Sequence, residues 1–214
     1  MCFNKEISLA TFIFAIVGIV YLYNRNAPND RWIAVFAAVL AMIQLAEFLM
    51  WSDQSCGNLN KYASMFALFI LALQPLSNMI GGIFFSNTPY KNILGYMLFA
   101  YLLFIGYVYF SFVSGKQIVF CGINNCAYVP QANNSIKSCG LNWLFIKNMG
   151  RKTSIIWILF LMLPFLTMTP TFRGIILFAL AVATYFASRM SHTNIMASMW
   201  CWFAIGLIYF QILF

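Results

Sequence analysis

"RWIAVFAAVLAMIQLAEFLMW", residues Arg31–Trp51, decides what kind of molecule this is. Past its leading arginine the run carries one charged residue, Glu47. Roughly 17 to 25 apolar residues, each rising 1.5 Å along a helix, cross the hydrocarbon core of a bilayer. Six more runs of this kind lie at 7–24, 61–85, 93–113, 153–169, 172–188 and 194–214. The chain of 214 residues is 63% hydrophobic and 7% charged, with mean hydropathy +0.84. A soluble domain carries about 25% charged residues, so lipid is the expected solvent for most of this one. The fifth and sixth runs are together too long for one crossing, and Pro170 splits them into a tight hairpin. All seven are too long and too uniformly apolar for barrel strands. The expected fold is all-α, an integral membrane seven-helix bundle forming one domain over 1–214, with a cysteine-containing loop at 114–152. The first run ends in "YLYNRN" and not at a small-residue cleavage site, so it reads as a retained span.

Let the N-terminal side be A and the opposite side B. Eight of the 12 basic residues lie nearer side A, whereas side B packs the other four around three short connections. Count favours side A in the cytosol, and density favours side B. The first span also favours side B, because Lys5 and Glu6 cancel before it while Arg25 and Arg31 outweigh Asp30 after it. Cys2, Cys56, Cys121, Cys126 and Cys139 all fall on side A. Cys121 and Cys126 bracket "GINN" between "QIVF" and "AYVP", which reads as a short β-hairpin with its turn held by a disulfide. Cys2 with Cys56 is the second expected pair, since both lie just outside neighbouring spans. Asn133-Asn134-Ser135 is a glycosylation sequon on the same side. These signals place the N-terminus in the extracellular or luminal space and the C-terminus in the cytosol; reduced cysteines on a cytosolic face are the alternative. The segment "LNWLFIKNMGRK" (Leu141–Lys152) suits the headgroup zone, and membrane lipids are the expected partners. No basic stripe is interleaved with aromatics, so no nucleic-acid partner is expected.

Three features together resemble a known family: the opening "MCFNKEISLATF", the spacing of Gln44, Glu47 and Trp51, and "WCW" at Trp200–Trp202. The family comprises small polytopic membrane proteins that begin Met-Cys-Phe-Ser. Its members carry a Gln/Glu/Trp group in the second helix and a Trp-Cys pair in the last. The resemblance covers the first 51 residues and the last helix. It implies that Cys2, Gln44, Glu47, Trp51 and Cys201 belong together, and it names no chemistry. Asn4 stands where the family has serine, so a role for that hydroxyl does not carry over.

An ionisable group inside a span costs about 2.5–3.5 kcal/mol on insertion scales. Glu47 lies about 6 Å from the side A end of its run, a depth from which it alone would reach the interface. Gln44 is one turn deeper on the same face and Trp51 one turn shallower. Two polar groups on one stripe point to the bundle interior. The third run offers Gln74, Ser77 and Asn78 at i, i+3 and i+4, then Gly81-Gly82, with Pro75 loosening the backbone. In antiparallel helices the expected depth order is Glu47, Gln44, Gln74, Asn78: a polar file, or hydrogen-bonding glue worth about 0.6 kcal/mol per group. Cys201 falls about 10 Å deep on the last helix, near the level of Gln44, as a packing residue or as a redox or metal partner of Glu47. Ala179, Ala183 and Ala187 repeat at i+4 and admit a close neighbour, either another helix of the bundle or a second protomer.

A single histidine, His192, excludes a haem held by two histidines of one chain and a histidine-rich hydrolase site. The last three runs hold no lysine for a retinal Schiff base, and no run of arginines at every third position forms a voltage sensor. No metal site and no cofactor are expected. Three functional classes stay open. The first is a channel or transporter for protons or small cations, with Glu47 as the titratable group and Gln44, Gln74 and Asn78 as lining. The second is a membrane-embedded enzyme acting on a lipid or quinone-like substrate, with Glu47 as general base or Cys201 as redox group. The third is a receptor or structural role. Catalysis needs a base, an orienter and a polarising group to converge, and only Glu47 is evident, so transport is preferred.

Overall fold

The computed structural model describes residues 4–113, 118–131, 134–147, 151–190 and 196–213. Helix α1 (Lys5–Arg25) begins where Asn4 Oδ1 accepts the Ile7 N–H at 2.8 Å. Asparagine and serine cap helices equally well, so Asn4 does here what a serine would do. Glu6 in the first turn and Arg25 in the last oppose the helix dipole, and Asn26 ends the helix at φ 51. Helix α2 (Asp30–Ser52) follows a tight corner, and α3 (Asn58–Phe85) follows the next. At that second corner the Asp53 carboxylate accepts from the Ser55 hydroxyl and from the N–H groups of Gly57 and Asn60. This capping starts α3 three residues ahead of the apolar run. Helix α4 (Lys91–Val113) completes the first half.

Strands β1 (Gly122–Gln131) and β2 (Asn134–Trp143) form an antiparallel hairpin. It leads into α5 (Leu144–Lys147), α6 (Arg151–Met162), a 3₁₀ turn (Leu163–Thr167), α7 (Thr171–Met190) and α8 (Met196–Leu213). Pro164 withholds a backbone donor near the start of the 3₁₀ turn, so the fifth apolar run finishes more tightly wound than its first part. The fold is all-α apart from the hairpin. Helices α1 to α4 are long and apolar enough to cross a membrane by length and composition; the stretches Lys152–Thr167 and Thr171–Phe186 are shorter apolar helices.

Helix α2 is the axis of the assembly. Of its apolar window 61% is buried, against 44% for α3, 22% for α1 and 11% for α4. It packs most broadly on α3 and α1, then on α8. The main core gathers Trp32, Phe36 and Leu40 of α2 with Leu22, Leu161 and Phe165. A second cluster at the side A end joins Met50, Ala63 and Ile70 to Leu141, Trp143 and Phe145. Gly81 and Gly82 allow the tight α2–α3–α4 junction. A Cβ on Gly81 would meet Trp32 Cδ1 at 2.7 Å, and one on Gly82 would meet Leu94 Cδ1 at 2.7 Å.

The hairpin corrects the expected disulfides. "GINN" is not a turn: Gly122–Asn125 are the first rungs of β1, and pairing runs from Gly122↔Trp143 to Gln131↔Asn134. Five extended steps carry the chain about 17 Å from Cys121 to Cys126, far beyond the reach of a disulfide. Cys121 is bonded instead to Cys56, across 65 residues of sequence. That bond also removes the expected Cys2–Cys56 pair, and Cys2 itself lies outside the described residues.

Candidate functional site

Gln44 and Glu47 lie one turn apart on α2, and both are wholly buried. Hydrogen bonds tie α3 to α2 at two points. Trp32 Nε1 donates to Asn78 Oδ1 at 2.8 Å near one end of the pair, and Asn60 Nδ2 donates to the Met50 carbonyl at 3.2 Å near the other. Among the buried residues between these two points, Leu40 and Ala41 of α2 and Ala67 and Ile70 of α3 are apolar. The α2–α3 interface holds two buried polar stations: Gln44 with Glu47 on α2 towards side A, and Gln74 with Asn78 on α3 towards side B.

At the side B station Asn78 is bonded at both ends of its amide, whereas Gln74 Oε1 is buried without a hydrogen-bond partner among the described residues. Asn78 accepts from the Trp32 indole and donates through Nδ2 to the Leu161 carbonyl at 2.8 Å, joining α2, α3 and α6. The Ser77 hydroxyl donates to the Gln74 carbonyl at 2.8 Å. Pro75 lacks the N–H that would serve the Leu71 carbonyl one turn earlier, and the Trp157 indole donates to that carbonyl at 2.9 Å. The Tyr101 hydroxyl donates to the neighbouring Ala72 carbonyl at 2.9 Å. Polar side chains from α4 and α6 thus satisfy backbone around a proline inside an apolar bundle.

A polar clasp closes the side A end of α2 and α3. Asn60 is fully buried and donates through Nδ2 to the carbonyls of Met50, Asp53 and Gly122, while its Oδ1 accepts the Gly122 N–H at 2.8 Å. Gln54 Oε1 accepts the Asn124 N–H at 2.7 Å. With Cys56–Cys121, these bonds seat the start of the hairpin on the α2–α3 corner. Trp143 and Phe145 stack at 5.5 Å between centroids, and Trp51 packs against the same cluster. Outside the membrane-spanning segments, Asp53 is held below the usual carboxylate range by the Ser55 hydroxyl and the Asn60 and Gly57 N–H groups.

One cluster escaped the sequence reading. Arg25 grips Asp30 in a bidentate pair along one guanidinium edge, Nε to Oδ2 at 2.8 Å and Nη2 to Oδ1 at 2.9 Å. It also donates to the carbonyls of Gln211 and Ile212 near the end of α8, and Gln211 Nε2 donates to Asp30 Oδ1 at 2.9 Å. Arg25 and Asp30 looked like topology charges. The available signal was their position around a tight connection, with Gln211 as a polar residue near the end of the last run.

Cys201 belongs to α8, but its side chain lies outside the described residues, as do His192 and Asn133. Among the described residues no group of three or more His, Cys, Asp or Glu is placed to hold a metal ion. The alanine repeat on α7 is turned outward at Ala179 and Ala183, while Gly174, Leu177 and Ala181 face the bundle. The expected close neighbour within the bundle is therefore not at that stripe, and Gly174 takes the role, its missing Cβ making room for the Phe165 carbonyl. Comparison with protein-family models, with curated proteins and with solved structures finds no match.

Proposed function

We propose that this chain is a polytopic membrane protein that moves protons or small cations, with Glu47 and Gln44 as its ion-binding station. One observation carries the reading: a glutamate and a glutamine, one turn apart, are wholly buried on the most enclosed helix of the bundle. A glutamate in such a place works against insertion by about 2.5–3.5 kcal/mol, which favours a role beyond packing. In this reading the seven helical stretches α1 to α4, α6 with its 3₁₀ turn, α7 and α8 are the spans. Outward-facing Tyr96, Phe99, Leu103 and Phe110 on α4 would then meet lipid. Side A is exoplasmic, and an ion enters beneath the hairpin, past Trp51, to Glu47. The apolar layer between the two stations is the closed part of the pathway, and Gln74 lies beyond it. The resemblance to proteins beginning Met-Cys-Phe-Ser agrees with grouping Gln44, Glu47 and Trp51.

The test is flux into liposomes for the wild type, Glu47→Gln and Glu47→Leu. Glu47→Gln removes the charge at nearly constant volume, so flux or its pH dependence should collapse while folding and insertion persist. Normal transport by Glu47→Gln, with Glu47→Leu merely unfolding the protein, would reduce Glu47 to a packing group and end the transport reading.

A further inference from the structure

The hairpin register carries an inference about Cys126 and Cys139. These residues are direct partners, in the fifth of the ten opposed pairs of β1 and β2. Residues directly opposed in an antiparallel ladder have Cα atoms about 4.5–5.5 Å apart, inside the window of about 4.4–6.8 Å that a disulfide spans. Cys121, the other cysteine of this segment, is already bonded to Cys56 and does not compete. With ten residues in each strand, a one-residue slip would carry Leu141 and Trp143 away from the side A cluster they fill, so the register that opposes the two cysteines is pinned elsewhere.

We propose that Cys126 and Cys139 form a second disulfide, made in the oxidising compartment on side A. Formation removes two protons and two electrons from the thiols. A protein disulfide of the dithiol-oxidoreductase class accepts the electrons. One cysteine thiolate attacks that disulfide and releases one partner thiolate; the second cysteine thiolate then attacks the mixed disulfide, closing Cys126–Cys139 and releasing the reduced partner. The result is a covalent chain from the α2–α3 corner, through Cys56–Cys121 and β1, to β2 and the segment entering α6. The proposal shares with the functional reading only the orientation of side A, and it stands whether or not Glu47 conducts.

Tryptic mapping of the full-length protein tests it, after alkylation under non-reducing conditions and removal of any glycan. Cleavage places Cys56 in the peptide 32–61, Cys121 and Cys126 in 117–137, and Cys139 in 138–147. The expected product is one adduct of three peptides, with loss of the alkylated form of 138–147. Fragmentation between Cys121 and Cys126 should leave 32–61 on the first half and 138–147 on the second. If 32–61 stays linked while Cys126 and Cys139 are alkylated, the second disulfide is absent and the orientation stands. Alkylation of all four thiols refutes both the second bond and the oxidising side A. Fragments that join 138–147 to Cys121 refute the pairing.

Discussion

Asn78 engages both ends of its amide, and its replacement by leucine should show what that is worth. Leucine leaves the Trp32 indole N–H and the Leu161 carbonyl stranded in the main core. A buried group left without a partner costs about 1–3 kcal/mol, above the average of about 0.6 kcal/mol for one hydrogen bond between membrane helices. Asn78→Leu should therefore lose about 1–3 kcal/mol in reversible unfolding from mixed micelles, and an unchanged midpoint would show that Trp32 finds another acceptor. Asp53 gives a prediction in pH. Its lowered pKa means that it stabilises the start of α3 fully above the usual carboxylate range, and that this support is lost as pH falls through the lowered value. Amide exchange at Gly57 and Asn60, corrected for intrinsic rates, should accelerate in acid for the wild type and change less for Asp53→Asn. Equal acid dependence in both would place the cap elsewhere. The burial of Gln44 and Glu47 was legible in the sequence, because cost and helical spacing depend only on residue type and position. The Arg25–Asp30–Gln211 cluster was not, because it needs α8 to arrive at a corner 181 residues earlier in the chain.

At the scale of elements, Pro75 and Trp157 should behave as a coupled pair. The proline withholds the donor that the Leu71 carbonyl would have in an unbroken helix, and the Trp157 indole on α6 supplies one. Trp157→Phe should thus destabilise the wild type, and should do so by about 1 kcal/mol less in a Pro75→Ala background, where residue 75 regains its N–H. A double-mutant cycle that sums to zero would mean the indole bond contributes packing alone. Trp157 is partnered with a residue 86 positions away, so no local pattern announced it. The hairpin was half legible for the same reason. Turn-forming residues occur both in "GINN" and in "QANNS", and local chemistry does not choose between them. The choice is made by what the longer register achieves: Leu141 and Trp143 reach the α2–α3 cluster, and Cys121 reaches Cys56.

For the whole molecule, the positions of the helices were the most legible feature, since an apolar run of membrane-crossing length leaves its backbone few alternatives to a helix. The ends were less so. Side-chain caps at Asp53 lengthen α3, and Pro164 tightens the turn after α6. Orientation depends on the balance of two signals of different kinds. Basic residues crowd the short side B connections, where Arg25 is fixed by Asp30 and the end of α8. Side A carries the Cys56–Cys121 bond, and disulfides persist in oxidising compartments. Both support the proposed orientation, with side A outside. Cys121→Ala provides the test, because it frees the thiol of Cys56, which is exposed, while Asn60 still holds the start of β1 through its bonds to Gly122. A membrane-impermeant maleimide added to intact cells should label Cys56 in this variant, seen as a modified 32–61 peptide, and should leave it unlabelled in the wild type. Labelling that appears only after the membrane is permeabilised would turn the bundle over, and Glu47 would then open towards the cytosol.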